Sequence, residues 1–273
     1  MPEGPEIRKA ADAVEKALQH RQVLDISFAF EALQGYEDLL RNASVTRVDT
    51  KGKAMLTRFD NGYTIYSHNQ LYGKWMIRNA YNYPKTNRQL RLAIHNEKKS
   101  ALLYSASDIE VLRDEEVWDH PFIRKVGPDI LSETVTEEML IERFKSRQFS
   151  RRKWTSLLLD QSFVAGLGNY LRSEILFVSG IHPSLRPGET KARNIETAAV
   201  ETIALMQQSY LHKGITLDLD IAERMKASGK KRNQYRHWVF RRASEPCHIC
   251  HTKIEKTEAG NRRLYYCPTC QSL

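Results

Sequence analysis

Residues 45–68 read VTRVDTKGKAMLTRFDNGYTIYSH, three apolar-rich runs broken by Lys51-Gly52-Lys53 and by Asp60-Asn61-Gly62. Both breaks carry turn chemistry, and β-branched and aromatic residues fill the runs, so antiparallel strands are predicted over 45–50, 54–59 and 63–68. Working outward, similar short runs lie at 23–30, 75–78, 90–95 and 101–105, with no long helical pattern between them. Strands in quick succession build an antiparallel sandwich rather than a parallel sheet wrapped in helices. On the N-terminal side, Ile7, Ala10, Ala11, Val14 and Leu18 recur at helical spacing and predict one amphipathic helix ending near His20.

The pattern changes after His120-Pro121. Gly127-Pro128-Asp129 reads as a linker, and Thr136-Glu137-Glu138 opens a helix in capping style. Helical periodicity then covers 137–145, 153–159, 171–178 and 192–210, whereas 217–232 is polar and fits no element. The expected architecture is α+β and multidomain. It comprises a β-sandwich with a leading helix over 1–125, a linker over 126–135, a helical domain over 136–235, and a cysteine-bearing module over 236–273.

The 273 residues include 42 Lys and Arg against 33 Asp and Glu, a formal charge of +9. No run approaches the roughly 20 apolar residues of a membrane span, and no leader precedes the first helix, so membrane and exported classes are set aside and a cytoplasmic protein is expected. A positive excess favours polyanionic partners. Lys230, Lys231, Arg232, Tyr235, Arg236, His237, Trp238, Arg241 and Arg242 interleave cations with aromatic rings. Cations neutralise phosphate and flat rings stack on bases, so the mixture leans toward nucleic acid.

All four cysteines fall in Cys247-x2-Cys250 and Cys267-x2-Cys270, with sixteen residues between the pairs. Two such pairs present four thiolates to one tetrahedral ion, and the intervening stretch is long enough for a β-hairpin. Disulfides are the competing reading, but they are rare in chains that stay in a reducing compartment. One structural Zn2+ is expected, and a site closed by four protein ligands performs no chemistry. Val164-Ala165-Gly166-Leu167-Gly168-Asn169-Tyr170 precedes a helix. Its glycines and the amide of Asn169 suit a phosphate, although a plain tight turn looks the same.

Pro2-Glu3-Gly4-Pro5-Glu6 carries two readings. As a helix start, Pro5 and Glu6 suit the first turn. Alternatively, loss of Met1 leaves a secondary amine at Pro2 with an ordinary pKa of about 8, partly unprotonated at neutral pH and able to attack an electrophilic carbon. An amine captured by a sugar C1′ becomes a cationic iminium, which acidifies the C2′ hydrogen and promotes elimination of the 3′ phosphate. A neighbouring carboxyl, Glu3, could move protons to and from the sugar.

The PEGPE start, the KGK turn, the GLGNY segment and the terminal cysteine ribbon occur in this order along nearly the whole chain. Together they resemble the formamidopyrimidine-DNA glycosylase and endonuclease VIII family of base-excision repair enzymes. Ser67-His68-Asn69-Gln70-Leu71-Tyr72-Gly73 and Leu103-Tyr104-Ser105-Ala106-Ser107-Asp108 resemble the endonuclease VIII branch. The resemblance implies a bifunctional glycosylase and abasic-site lyase that removes oxidised pyrimidines by β,δ-elimination. Its partner would be damaged double-stranded DNA, with the chain a monomer and no small-molecule cofactor. It also implies a helix-two-turns-helix motif in the helical domain. Pro2 would be the nucleophile, Glu3 a proton donor, and Lys53 the donor for elimination. Gln70, Leu71 and Tyr72 would fill the duplex where the damaged nucleotide is flipped out, while Asn169 and Arg262 would grip phosphates. Glu6 and Glu174 match positions important in the family, and Cys247, Cys250, Cys267 and Cys270 would hold the zinc. Residues 211–236 match the family poorly, which leaves the lesion range open, and Ser244 replaces a common glycine. Two rivals remain at this point: the sister activity on oxidised purines, and a zinc-bearing nucleic-acid binder without catalysis.

Overall fold

The computed structural model describes residues 2–273; Met1, whose removal the nucleophile reading requires, lies outside them. The chain divides into two compact units that meet in sequence at Val126 and Gly127.

The first unit opens with helix α1 (Gly4–Leu18), which buries Ile7, Ala11, Val14 and Leu18 along one stripe. The helix ends where Gln19 leaves helical geometry and His20 turns left-handed at φ 56°. After it come β1 (Asp25–Phe28), two single-turn helices, α2 (Glu31–Gln34) and α3 (Glu37–Leu40), and then β2 (Val45–Lys51), β3 (Ala54–Phe59) and β4 (Tyr63–His68). Strands β5 (Lys74–Asn79), β6 (Leu90–His95), β7 (Lys99–Tyr104) and β8 (Asp108–Arg113) follow, and α4 (Pro121–Lys125) closes the unit. They form two four-stranded sheets, ordered β2-β3-β4-β8 and β1-β6-β7-β5, with every pairing antiparallel. The expected sandwich with its leading helix is therefore present.

Its core joins Val14 and Leu18 of α1 to Val48, Met55 and Ile65 of one sheet and Ile26, Leu92 and Leu103 of the other. A fully buried aliphatic side chain of this kind contributes about 1.5–3 kcal/mol. Strand β3 is buried at all six positions because Ala54 and Leu56 face a second cluster with Tyr66, Val117 and Ile123. The turns that broke the sequence pattern are where the chain reverses, with Gly52 at φ 62° and Gly62 at φ 80°, backbone that favours glycine.

The sequence had left β8 unassigned. Its charged Asp108 and Glu110 alternate with the buried sheet positions Ile109 and Val111, and β8 is fixed by pairing with β4 over its whole length. The run expected at 23–30 is shorter, Asp25–Phe28, because the chain turns into α2 at Phe30.

The second unit contains α5 (Glu137–Lys145), α6 (Trp154–Leu157), α7 (Asn169–Val178), α8 (Ala192–Leu211), α9 (Leu219–Ala227) and α10 (Arg232–Tyr235), then the hairpin β9 (Glu255–Ala259) and β10 (Arg262–Tyr266). Thr136 caps α5 by accepting the Met139 N–H, as the sequence predicts. Leu140, Phe144, Trp154, Phe163, Leu171, Ile175 and Met206 form the core, which Leu264 of the hairpin also enters. The segment that fitted no element holds α9, capped by Asp218 through the Ile221 N–H. Only Ala222 of α9 is buried, so almost no apolar stripe announces it.

Candidate functional site

In the first unit, Glu3 is the N-cap of α1 and is 3% exposed. Its backbone N–H donates to the Glu6 carboxylate at 3.0 Å, one half of a reciprocal capping box. Glu6 therefore fixes the peptide that carries Glu3 and so holds the half-buried Pro2 ahead of it. This is a concrete role for a position whose purpose the sequence did not reveal.

Lys53 follows the Gly52 turn and is 8% exposed, unusually buried for a lysine. The next residue, Ala54, pairs with His68 at the end of β4. Burial, with a smaller push from the Lys53 charge, holds the His68 imidazole below its ordinary pKa, although Asp108 opposes the shift. Tyr66 on the same strand has its phenol raised far above the ordinary value, chiefly by burial and further by Asp108 and Glu110. One end of the β2-β3-β4-β8 sheet thus gathers a buried ammonium, an imidazole kept neutral and a phenol kept protonated.

The chain leaves β4 through a tight loop into β5 and so crosses from one sheet to the other. The Gln70 N–H donates to His68 Nδ1 at 3.0 Å, and Gln70 itself sits at φ 45°. A Cβ on Gly73 would lie 2.6 Å from the Asn69 backbone, so only glycine closes this loop. At its tip Leu71 and Tyr72 are 50% and 67% exposed, large apolar surface standing in water. Two outside groups tether it: the Ser107 hydroxyl donates to Gln70 Oε1 at 2.9 Å, and Arg88 Nη1 donates to the Tyr72 carbonyl at 2.5 Å. His68 and Arg88 were not legible in the sequence as supports, because both act on backbone groups of the loop.

In the second unit, Gly166 turns at φ 85° and Gly168 precedes α7, so Asn169 occupies the first helical position. Its Oδ1 is buried with no hydrogen-bond partner among the described residues. Arg172, Ser173 and Glu174 follow, all fully buried. The Arg172 guanidinium donates to the Thr155 carbonyl at 2.9 Å and to the Arg263 carbonyl at 3.0 Å, which ties the start of β10 to the helical core. Arg262, at the first position of β10, is exposed. Asn169 and Arg262 are thus carried on elements that Arg172 joins.

Glu174 is more enclosed still. Oε1 accepts the Val239 and Phe240 N–H groups at 3.0 and 2.9 Å, and Oε2 accepts the Trp238 N–H at 2.7 Å and the Thr216 hydroxyl at 2.5 Å. Burial raises the Glu174 pKa despite these four donors. His237 lies beside it, held well below its ordinary pKa by burial and by Arg236, Arg241, Arg232 and Arg242.

The four cysteine sulfurs lie within 4.8 Å of one another, with Cys247 and Cys270 at 3.9 Å and Cys250 and Cys267 at 3.4 Å. Zinc bound tetrahedrally at about 2.3 Å from each sulfur needs edges of about 3.8 Å, so the set fits that ion. Burial and the neighbouring sulfurs push Cys267 and Cys270 upward, whereas hydrogen bonds from Thr252 bring Cys250 down to about 6; a bound cation favours the thiolate form throughout the set. The site holds one structural zinc and offers it no open position.

Residues 1–106 match the N-terminal domain of formamidopyrimidine-DNA glycosylase, 126–224 its H2TH domain, and 244–273 the zinc finger found in that enzyme and in IleRS. Endonuclease 8 of Shigella sonnei is 43% identical over 271 residues, 99% of this chain and all of that protein. Endonuclease 8 of Escherichia coli strain K12 / DH10B has the same identity and coverage. The fold is also similar to the Lactococcus lactis formamidopyrimidine-DNA glycosylase non-covalently bound to DNA containing an abasic site, with TM-score 0.82 and 20% identity over 99% of this chain and all of the other. The same enzyme in complex with DNA containing an oxidised pyrimidine has TM-score 0.82 and 21% identity over both whole chains. The chain belongs to the formamidopyrimidine-DNA glycosylase and endonuclease VIII family. It is accordingly a DNA glycosylase and abasic-site lyase of base-excision repair.

Proposed function

We propose that this enzyme excises oxidised pyrimidines such as thymine glycol from duplex DNA, with Pro2 as nucleophile, and cuts the strand by β,δ-elimination. The observation that carries the reading is the 69–73 loop, a rigid wedge whose exposed tip is held by His68, Ser107 and Arg88. Flipping a nucleotide costs a few kcal/mol, and a pre-ordered wedge offsets part of this by filling the gap. Leu71 and Tyr72 supply the apolar filling and a stacking face, and Gln70 can bond the orphaned base. Strand β7 ends at Tyr104 and β8 begins at Asp108, so the intervening turn braces the wedge from Ser107 instead of adding a second inserted loop. Together with the full-length match to proteins named endonuclease 8, this favours the pyrimidine branch.

In the proposed chemistry the Pro2 amine attacks C1′ and the C1′–N bond to the base breaks, with Glu3 protonating the sugar ring oxygen as the ring opens. The resulting iminium acidifies C2′. Loss of that proton expels the 3′ phosphate, and a second elimination expels the 5′ phosphate, with Lys53 supplying protons to the departing groups. Hydrolysis of the iminium then frees Pro2. Asn169, at the first position of α7 with a side-chain NH2 group to donate, and the exposed Arg262 hold the flanking phosphates. The enzyme acts as a cytosolic monomer in this reading.

Base release is to be compared on thymine glycol and 8-oxoguanine duplexes of one sequence. A faster release of thymine glycol is expected, and a marked preference for 8-oxoguanine would overturn the substrate assignment.

A further inference from the structure

A cleft of about 680 Å³ opens beside the wedge, lined by Tyr72, Thr86, Asn87, Arg88, Arg91 and Ser105. It contains no acidic side chain. Arg91 belongs to β6, and the β6–β7 register shifts between Leu90 and Leu92, so Arg91 is the extra residue of a β-bulge. Bulges re-aim side chains and are frequent beside active sites. The Arg91 guanidinium lies 5.1 Å above the Phe30 ring, and its Nη2 donates to Gln89 Oε1 at 2.5 Å. Its Nε is buried without a partner, and neither Arg91 nor Arg88 has an ion-pair partner among the described residues. Two cations held in place and left without counter-charge fit an anion with several oxygens.

Topology says which anion. The wedge links the two sheets: His68, at the end of the β2-β3-β4-β8 sheet, holds its Gln70 end, whereas Arg88, beside Arg91 of the β1-β6-β7-β5 sheet, holds its Tyr72 end. A wedge that replaces a flipped nucleotide has the damaged strand on its catalytic side and the intact strand on its other side. We propose that this cleft binds a backbone phosphate of the DNA strand opposite the damaged nucleotide, through Arg91 and Arg88, an inference that rests on the wedge reading above. Arg88 would then serve twice, since the guanidinium that meets the phosphate also fixes the Tyr72 carbonyl.

The test uses the full zinc-loaded chain and a stable tetrahydrofuran abasic analogue, in a duplex and in the isolated lesion strand. Neutral methylphosphonates are placed one at a time along the undamaged strand. The wild type should lose about tenfold in affinity at one or two adjacent positions, the loss typical of one charge-assisted hydrogen bond. Arg91→Gln should weaken duplex binding to a similar degree, lower the salt slope by about 0.9, and be distinctly less sensitive than the wild type to the same methylphosphonates, since Arg88 remains. It should bind the lesion strand alone as tightly as the wild type. By contrast, Arg262→Ala should weaken both forms.

Equal sensitivity at every position, additive losses, or an Arg91→Gln defect that persists on the single strand would overturn the proposal. Should Arg91→Gln fold poorly, Asn87→Asp places a negative charge in the cleft without removing a tether. It should weaken duplex binding alone, and unchanged binding would overturn the proposal. Failure of the wedge reading has a different signature, because Leu71→Ala would then leave lesion preference intact. Failure of the cleft alone leaves the Leu71→Ala defect in place.

Discussion

Replacing Glu174 by alanine should detach the segment that leads into the zinc module. The carboxylate receives three backbone N–H groups and one hydroxyl, from Trp238, Val239, Phe240 and Thr216, and is fully buried. Each donor left unsatisfied in a buried site costs about 1–3 kcal/mol, so four of them amount to about 4–8 kcal/mol once some water enters the cavity. Whole domains are stable by only about 5–15 kcal/mol, so Glu174→Ala should leave the second unit near its unfolding threshold. Glu174→Gln keeps one oxygen acceptor and should cost less, about 1–3 kcal/mol, for the donor that its NH2 group opposes. Urea unfolding followed through Trp238, which lies at the site, measures both. With a slope of about 1–3 kcal/mol per molar, the alanine variant should lose at least about 1 M in midpoint and the glutamine variant distinctly less. Equal midpoints for wild type and alanine would refute the assignment of Glu174 as the anchor of residues 238–240.

Three further outcomes follow from the same geometry. Removal of zinc by a chelator should release one ion per chain, disorder the β9–β10 hairpin, and cost DNA affinity before the sandwich melts; undiminished binding by the metal-free chain would contradict this. His237 has a folded pKa far below its unfolded value near 6.5, so the native state binds fewer protons and is most stable above that pH. Stability of the second unit should therefore fall as the pH drops below about 6.5, by up to about 1.4 kcal/mol per unit, and His237→Gln should flatten the profile; an unchanged slope in the variant would count against it. Ser107→Ala should loosen Gln70 and slow base release while leaving affinity for undamaged duplex unchanged, a split that steady-state kinetics and a binding titration would reveal.

Local chemistry was readable in the sequence where a residue type has few uses. Gly52 and Gly62 marked strand reversals because the turns need φ above zero, and the two C-x-x-C pairs marked the metal because thiolates converge for little else. The hairpin between those pairs followed from its length. Strand β8 was hidden since its alternation of charge and apolar side chain resembles a loop until β4 supplies a partner. Arg172, Ser173 and Glu174 were the least legible. Three consecutive polar residues suggest an exposed face, yet all are fully buried, and the groups that satisfy them include backbone carbonyls and amides from residues 155, 238–240 and 263. The Arg91 bulge is likewise a property of strand pairing and has no signature in composition.

The nucleophile is tested most directly by borohydride reduction on abasic-site DNA, followed by mass spectrometry of the crosslinked peptide. A covalent adduct at Pro2 is expected, and it should vanish in Pro2→Gly and in chain that retains Met1 although both still bind the duplex. An adduct on a lysine, or trapping that survives either change, would show that the amine at the chain's start is not what captures the sugar.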